Sequence, residues 1–265
     1  MIKRILKILF WIVIIVCYFL SLDLVSERRH DQICTGIKVA ILDSAVSGFV
    51  TKRDILEIAN NKTNSIIGIS FDSIKARDIS NRLYKSTPVR DVVIYKTIDG
   101  IVHIDVKQRA PIVRIINRFG ENFYIDDNGD LLKHFPRYYS HVLVANGFIN
   151  LRAEQNNYNV LTSEVEKGKR NIMRELYELS CYINSNKFWK AQIQQIYVNE
   201  EGEFELIPSV GSHIILFGTS NKIEYKFSKL ESFYRNGLNV KGWNNYEVIN
   251  LKYEGQIIAE RNKIK

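Results

Sequence analysis

The sequence predicts an α+β protein made of a single N-terminal transmembrane helix, a small β-α-α-β-β unit and a larger mixed β-sheet domain with packed helices. Three observations predict it. A charge-free run, ILFWIVIIVCYFLSL over residues 8–22, follows Lys3, Arg4 and Lys7. Behind it, helix-period and strand-period segments alternate up to about residue 110, and beyond that point strands dominate. The composition is that of a folded chain: 46% of the 265 residues are hydrophobic, 25% are charged, and there are only 14 Gly and 4 Pro.

The first element is the apolar run. At 1.5 Å per residue, residues 5–25 reach the roughly 30 Å of a bilayer core if Lys7 extends outward and Asp23 sits at the far interface. A basic start with an apolar stretch also describes a cleaved signal peptide, but the exit SLDLVSERR has no small-x-small cleavage site. An uncleaved helix over residues 8–25 is expected, with Ile8, Phe10, Trp11, Ile14, Tyr18 and Leu22 as anchor residues in the lipid. The basic residues keep residues 1–7 in the cytoplasm, which puts the bulk of the chain outside.

The exported part begins with a strand at residues 37–41, IKVAI. TKRDILEIANN follows as a helix, with Thr51 as its cap and Ile55, Leu56, Ile58 and Ala59 as its apolar face. FDSIKARDISNRLYKSTP is a second helix, with Asp72 at its start, Ile74, Ile79 and Leu83 inward, and Pro88 at its end. VRDVVIYKTI and IVHIDVKQR form a hairpin across Asp99-Gly100, with Val102, Ile104 and Val106 on one face. Next come IVRIINR, ENFYIDD and DLLKHF as strands. A helix over residues 163–186 is announced by the capping-box spacing Ser163-x-x-Glu166. A hairpin around Glu201-Gly202 and a buried strand at SHIILFG follow. A helix over residues 221–237 carries Ile223, Phe227, Leu230 and Tyr234 on one face and stops at Asn236-Gly237. YEVINLKYEGQIIAER is a strand pair or one bulged strand, and residues 261–265 are a basic tail.

Reactive signals are few. FYIDDNGDLL gathers Asp126, Asp127 and Asp130, but an EF-hand needs Gly at position six and Glu at twelve, and neither is there. Asp127, Asn128 and Gly129 are the residue types of a hairpin turn, with the acids solvated around its tip. The five histidines (His30, His103, His134, His141, His213) are isolated. Glu200, Glu201, Glu203 and Glu205 flank a turn and alternate as an exposed strand face, rather than forming an acid pair for glycoside cleavage. There is no GxSxG, HExxH, SxxK or phosphate loop, and no CxxC or Cys/His cluster for zinc, so no cofactor and no metal are expected. Cys34 and Cys181 have no spacing that requires a disulfide. The net charge of +8 is scattered rather than blocked, so no nucleic-acid partner is expected.

The order of these elements, with STPVRDVVIYKTIDGIVHIDVKQRAPIVRI, FYIDDNGDLL and YKFSKLESFYRNGLNVKGWNNYEVINLKYEGQIIA, resembles the bacterial FtsQ/DivIB division family. The more specific matches are Pro88-Val89, Arg109-Ala110-Pro111, the turn at Tyr124 to Gly129, and Leu251-Lys252-Tyr253. The chain departs from the family at Gln108, where Glu is usual, at Lys252, where Arg is common, and in its short cytoplasmic start. The resemblance implies a POTRA domain over residues 35–110 and a β domain over 111–260. It implies a non-catalytic, single-pass protein of the inner (plasma) membrane at the division septum, periplasmic in its bulk where the cell has an outer membrane. It implies further that the β domain holds the single-span proteins FtsB and FtsL, which regulate septal peptidoglycan synthesis, and that the POTRA domain recruits other divisome members.

A last strand at a sheet edge gives such a partner a row of unpaired backbone groups to complete. Leu251, Lys252, Tyr253, Glu254 and Gly255 are the expected binding residues on that strand, with Lys252 available to an acidic partner side chain. Tyr253 is either a contact anchor or a core aromatic, and Trp243 is read as packing. Two other readings stand beside this one. A POTRA-containing component of protein secretion or outer-membrane assembly would precede a membrane barrel, and no such strand series is present. An anchored cell-wall hydrolase would bring a histidine and two acids into one pocket.

Overall fold

The computed structural model describes residues 9–19, 32–43, 50–60, 65–154, 158–166 and 168–262. A first helix, α1, covers residues 9–19, with Phe10, Trp11, Ile14 and Tyr18 all exposed. The anchor residues Ile8 and Leu22 lie outside the described residues, as do the cytoplasmic start at residues 1–7 and the tail residues 263–265. Among the described residues no helix is long and apolar enough to cross a membrane. The chain divides into two compact units, Met1–Gln108 and Arg109–Lys265.

In the first unit, β1 (Gly36–Ile41), α2 (Lys52–Ala59), α3 (Ala76–Ser86), β2 (Val89–Lys96) and β3 (Ile101–Gln108) follow in the order β-α-α-β-β. The sheet order is β1-β3-β2, with β1 parallel and β2 antiparallel to β3. Val102, Ile104 and Val106 alternate into the core, where Ile55, Ala59, Ile79 and Leu83 meet them. Thr51 caps α2 in a reciprocal box with Asp54. Asp72 does not start the second helix. It sits in a 3-10 turn, Phe71–Ser73, and α3 begins after Lys75 with no side-chain cap. Gln108 is buried, and its Oε1 accepts the N–H of Val50 at 2.7 Å.

The second unit is one nine-stranded sheet of order β12-β11-β10-β9-β8-β7-β4-β5-β6. Its strands are β4 (Pro111–Ile116), β5 (Asn122–Asp126), β6 (Leu131–Lys133), β7 (Leu143–Gly147), β8 (Ile193–Val198), β9 (Phe204–Pro208), β10 (Ile214–Gly218), β11 (Tyr246–Asn250) and β12 (Ile258–Arg261). The pairs β4/β7, β7/β8 and β10/β11 are parallel and the rest antiparallel. Two of the parallel pairs need helical crossovers, which bring Leu176, Leu179, Ile183, Phe227 and Leu230 onto the sheet.

In the second unit the helices depart from the sequence reading in three places. The expected helix over 163–186 starts only at Ile172 (α4, Ile172–Ser185), capped by Asn171, whose side chain accepts the N–H of Arg174. Gly168 stands at φ 92, a left-handed turn that a helix beginning at Ser163 would have to run through. A short helix not foreseen in the sequence, α5 (Lys187–Gln192), follows, capped by Asn186. The third helix, α6 (Ile223–Phe233), does not stop at Asn236-Gly237. It passes through a π turn, Tyr234–Leu238, and ends at Gly242 with φ 94. Tyr234 and Leu238, the two ends of this wider turn, are both buried.

Candidate functional site

The open end of the large sheet is built by three consecutive elements: α6, β11 and β12. Crossover through α6 sets β11 parallel to β10, and β12 then turns back antiparallel on β11, from Asn250 paired with Ile258 to Tyr246 paired with Arg261. β12 is therefore the edge, and among the described residues no strand lies on its outer side.

Residues 251–255 are not on this strand. They form the connection between β11 and β12, where Gly255 takes φ 74 to reverse the chain. The sequence reading is thus corrected in position: the final strand is β12, and Leu251, Lys252, Tyr253, Glu254 and Gly255 lead into it. Leu251 is buried and its N–H donates to Leu216 O at 2.9 Å. Tyr253 is 51% exposed, which removes the core alternative for it. Trp243 is half-buried and packs edge-on against Tyr234 at 5.0 Å.

Lysines fasten this connection to α6. Lys229 Nζ donates to the carbonyls of Tyr253 (2.7 Å) and Gln256 (3.1 Å), and the N–H of Gly255 donates to Tyr225 Oη at 3.1 Å. Lys222 pairs with Glu254, which raises the lysine's pKa and lowers the carboxylate's. Lys252 pairs with Glu203 at 2.6 Å, which also raises its pKa, so its charge is already answered within the chain. Lys226 is buried, donating to Phe217 O (2.9 Å) and Thr219 O (2.8 Å). Burial, with Lys229 nearby, pushes its pKa down from 10.5 to about 8. These side chains line a cleft of about 470 Å³ between α6 and the connection. Lys222, Lys226 and Lys229 were missed in the sequence reading, though their i, i+4, i+7 spacing marks a second stripe beside the apolar one.

The aspartates of FYIDDNGDLL stand at the β5–β6 turn, far along the sheet order from β12. Asp127, Asn128 and Gly129, the last at φ 79, make that turn. Not all three acids are solvated as expected: Asp126 is fully buried. One of its oxygens accepts the N–H groups of Asn128 and Asp130, both at 3.0 Å, and the other accepts from Arg109 at 2.8 Å. His103 lies on the face opposite the first unit's core, stacked on Tyr95 at 4.8 Å. Glu200 and Glu201 are exposed, and Glu203 faces Lys252. Among the described residues no three His, Cys, Asp or Glu side chains gather into a metal site. Cys34 and Cys181 are both free thiols.

Comparison with known families agrees with this architecture. Residues 110–260 match the family described as FtsQ/DivIB, C-terminal related, and residues 32–107 match a POTRA-like domain. A comparison with curated proteins found no match. The FtsQ/DivIB and POTRA families are non-catalytic scaffolds. With one family covering most of the large sheet and the other covering the β-α-α-β-β unit, the chain belongs to the FtsQ/DivIB family of cell-division scaffolds.

Proposed function

We propose that this chain is a non-catalytic, single-pass scaffold of the divisome. In this reading the N-terminal apolar segment crosses the plasma membrane, residues 1–7 stay in the cytoplasm, and both folded units stand outside at the septum. The POTRA-like unit, set at residues 35–110, recruits other division proteins. The second unit, residues 111–260, holds FtsB and FtsL and through them helps regulate septal peptidoglycan synthesis. No cofactor takes part.

The observation that carries the reading is the open edge of β12. An extended partner segment laid along Ile258–Arg261 completes the unpaired N–H and C=O groups of that strand, and main-chain bonds of this kind give affinity with little demand on sequence. The connection at Leu251 to Gly255 supplies selectivity. Tyr253 stands exposed at its tip as an aromatic anchor, and the lysine-lined cleft beside it favours an acidic partner side chain. Lys252 contributes by position rather than by free charge, because Glu203 already holds it.

The test is photo-crosslinking in living cells from single positions between 249 and 261, with mass spectrometry of the adducts. Capture of a small single-span coiled-coil protein from the 253 and 258–261 positions is the expected result, and Tyr253→Ala should weaken that capture without altering the fold. A folded, membrane-bound chain that captures nothing along this stretch would refute the edge as the interface.

A further inference from the structure

The first unit has a second surface of its own at the end where the chain enters it. Three segments are stitched together there. The stretch at Gln32 to Thr35 pairs with the stretch at Gly68 to Phe71: Cys34 N donates to Ile69 O at 2.9 Å, Gly68 N to Cys34 O at 2.8 Å, and Phe71 N to Gln32 O at 2.9 Å. The β2–β3 turn joins them through Thr35 N, which donates to Gly100 O at 2.8 Å, and through the side chain of Gln32, which donates to Ile98 O. Because β1 and β3 both start at this end and run parallel, the three segments form one rim of the unit.

That rim carries four exposed isoleucines: Ile98 at 89%, Ile33 at 52%, Ile67 at 47% and Ile69 at 39%. Single exposed apolar side chains are ordinary and need no reason. These four are different in where they stand. Ile98 is in the β2–β3 turn, in Thr97-Ile98-Asp99-Gly100, where turn chemistry favours polar residues and folding gains nothing from isoleucine. Ile67 and Ile69 flank Gly68, which turns the chain at φ 86, and both are exposed while Ile66 just before them is buried.

We propose that this isoleucine rim seats on the outer surface of the lipid bilayer. The proposal rests on reading the N-terminal segment as a membrane anchor. Residues 23–31 join the apolar run to Gln32, a stretch that spans at most roughly 30 Å even when fully extended. The rim is thus the end of the unit held closest to the membrane, and the far end of β3 lies a further ~25 Å away. Four isoleucines bury too little area to hold a free protein on a bilayer, since interfacial affinity grows with apolar area. A tethered domain needs far less, because a short linker sets an effective concentration in about the millimolar range. The rim also fixes which way the unit faces, by keeping one end down.

The test uses the full chain with isoleucine δ1-methyl labelling, in nanodiscs of phosphatidylethanolamine and phosphatidylglycerol, with and without a gadolinium-chelating lipid headgroup. The methyl signals of Ile33, Ile67, Ile69 and Ile98 should broaden several-fold more than those of Ile214 and Ile258, which are exposed in the second unit at 38% and 40%. Ile98→Asp should reduce the broadening at the other three while the chain stays in the disc. Equal broadening at the four rim methyls and the two controls, in a chain that is in the disc, overturns the proposal and leaves the anchor standing. A chain that does not enter the disc defeats the anchor and the rim together. Rim methyls silent to lipid but shifted on raising the protein concentration assign the surface to self-association and also overturn it.

Discussion

Asp126 and Lys226 are two buried charges put to different uses. Asp126 locks the β5–β6 turn by accepting two backbone N–H groups and the Arg109 guanidinium. Asp126→Ala leaves the two turn amides and Arg109 without their acceptor, and should cost about 3 kcal/mol, readable as a lowered midpoint in denaturant unfolding. Lys226 is the opposite case, a cation held where its charge is penalised. Its pKa is about 8 in the folded chain against 10.5 ordinarily, so between those values the unfolded chain binds more protons than the folded one. Stability drawn from this group therefore rises with pH from about 8 to 10.5, and it is at its lowest below pH 8. Unfolding curves of the parent and of Lys226→Met across that window should show the rise in the parent only. The sequence made the turn legible through Asp127-Asn128-Gly129, whose residue types tolerate positive φ. It did not reveal that one of the three neighbouring acids is buried, because burial there depends on Arg109 arriving from the connection just ahead of β4.

Strands were more legible than helix ends. Most stretches of alternating or β-branched residues became strands, because the period of two decides which face is buried wherever one face meets a core, although Leu251 to Tyr253 did not and β7 was not foreseen. One helix start failed because a cap-like pattern had to compete with a glycine. Ser163-x-x-Glu166 has the right spacing, yet Gly168 turns left-handed three residues short of Asn171, the cap that is used. The final strand was legible as a strand pair but misplaced, since Tyr253 and Leu251 alternate as well as any strand and only Gly255 marks the reversal. Among the glycines, Gly147, at the end of β7, leaves the least room for a side chain. It stands at φ 100, and an added Cβ would lie 2.2 Å from Val198 O on β8. Gly147→Ala should cost about 3 kcal/mol or more and lower the melting temperature, with little relief from repacking, since the obstacle is backbone.

The chain as a whole is two units with separate cores, and the family matches fall one on each. A fragment of residues 109–262 should therefore unfold in one cooperative transition by itself; a fragment with no such transition would show that its core is incomplete without the first unit. Deleting residues 8–22 should stop export unless a cleavable signal replaces them, and fractionation of cells would read this directly: export of the bare truncated chain contradicts the anchor. Sequence patterning gave the order of the two units, because it depends on local periods. It gave no hint of the isoleucine rim, whose members are scattered over 66 positions and meet only through the pairing of three segments. The sheet order has one more consequence, for synthesis. Among the described strands β12, which carries the proposed docking edge, comes last in chain order, and it joins the sheet through β11 alone. A chain that stalls or is clipped earlier offers a different strand at its border. On the proposed reading, capture along β12 therefore requires a chain made and folded at least through Arg261.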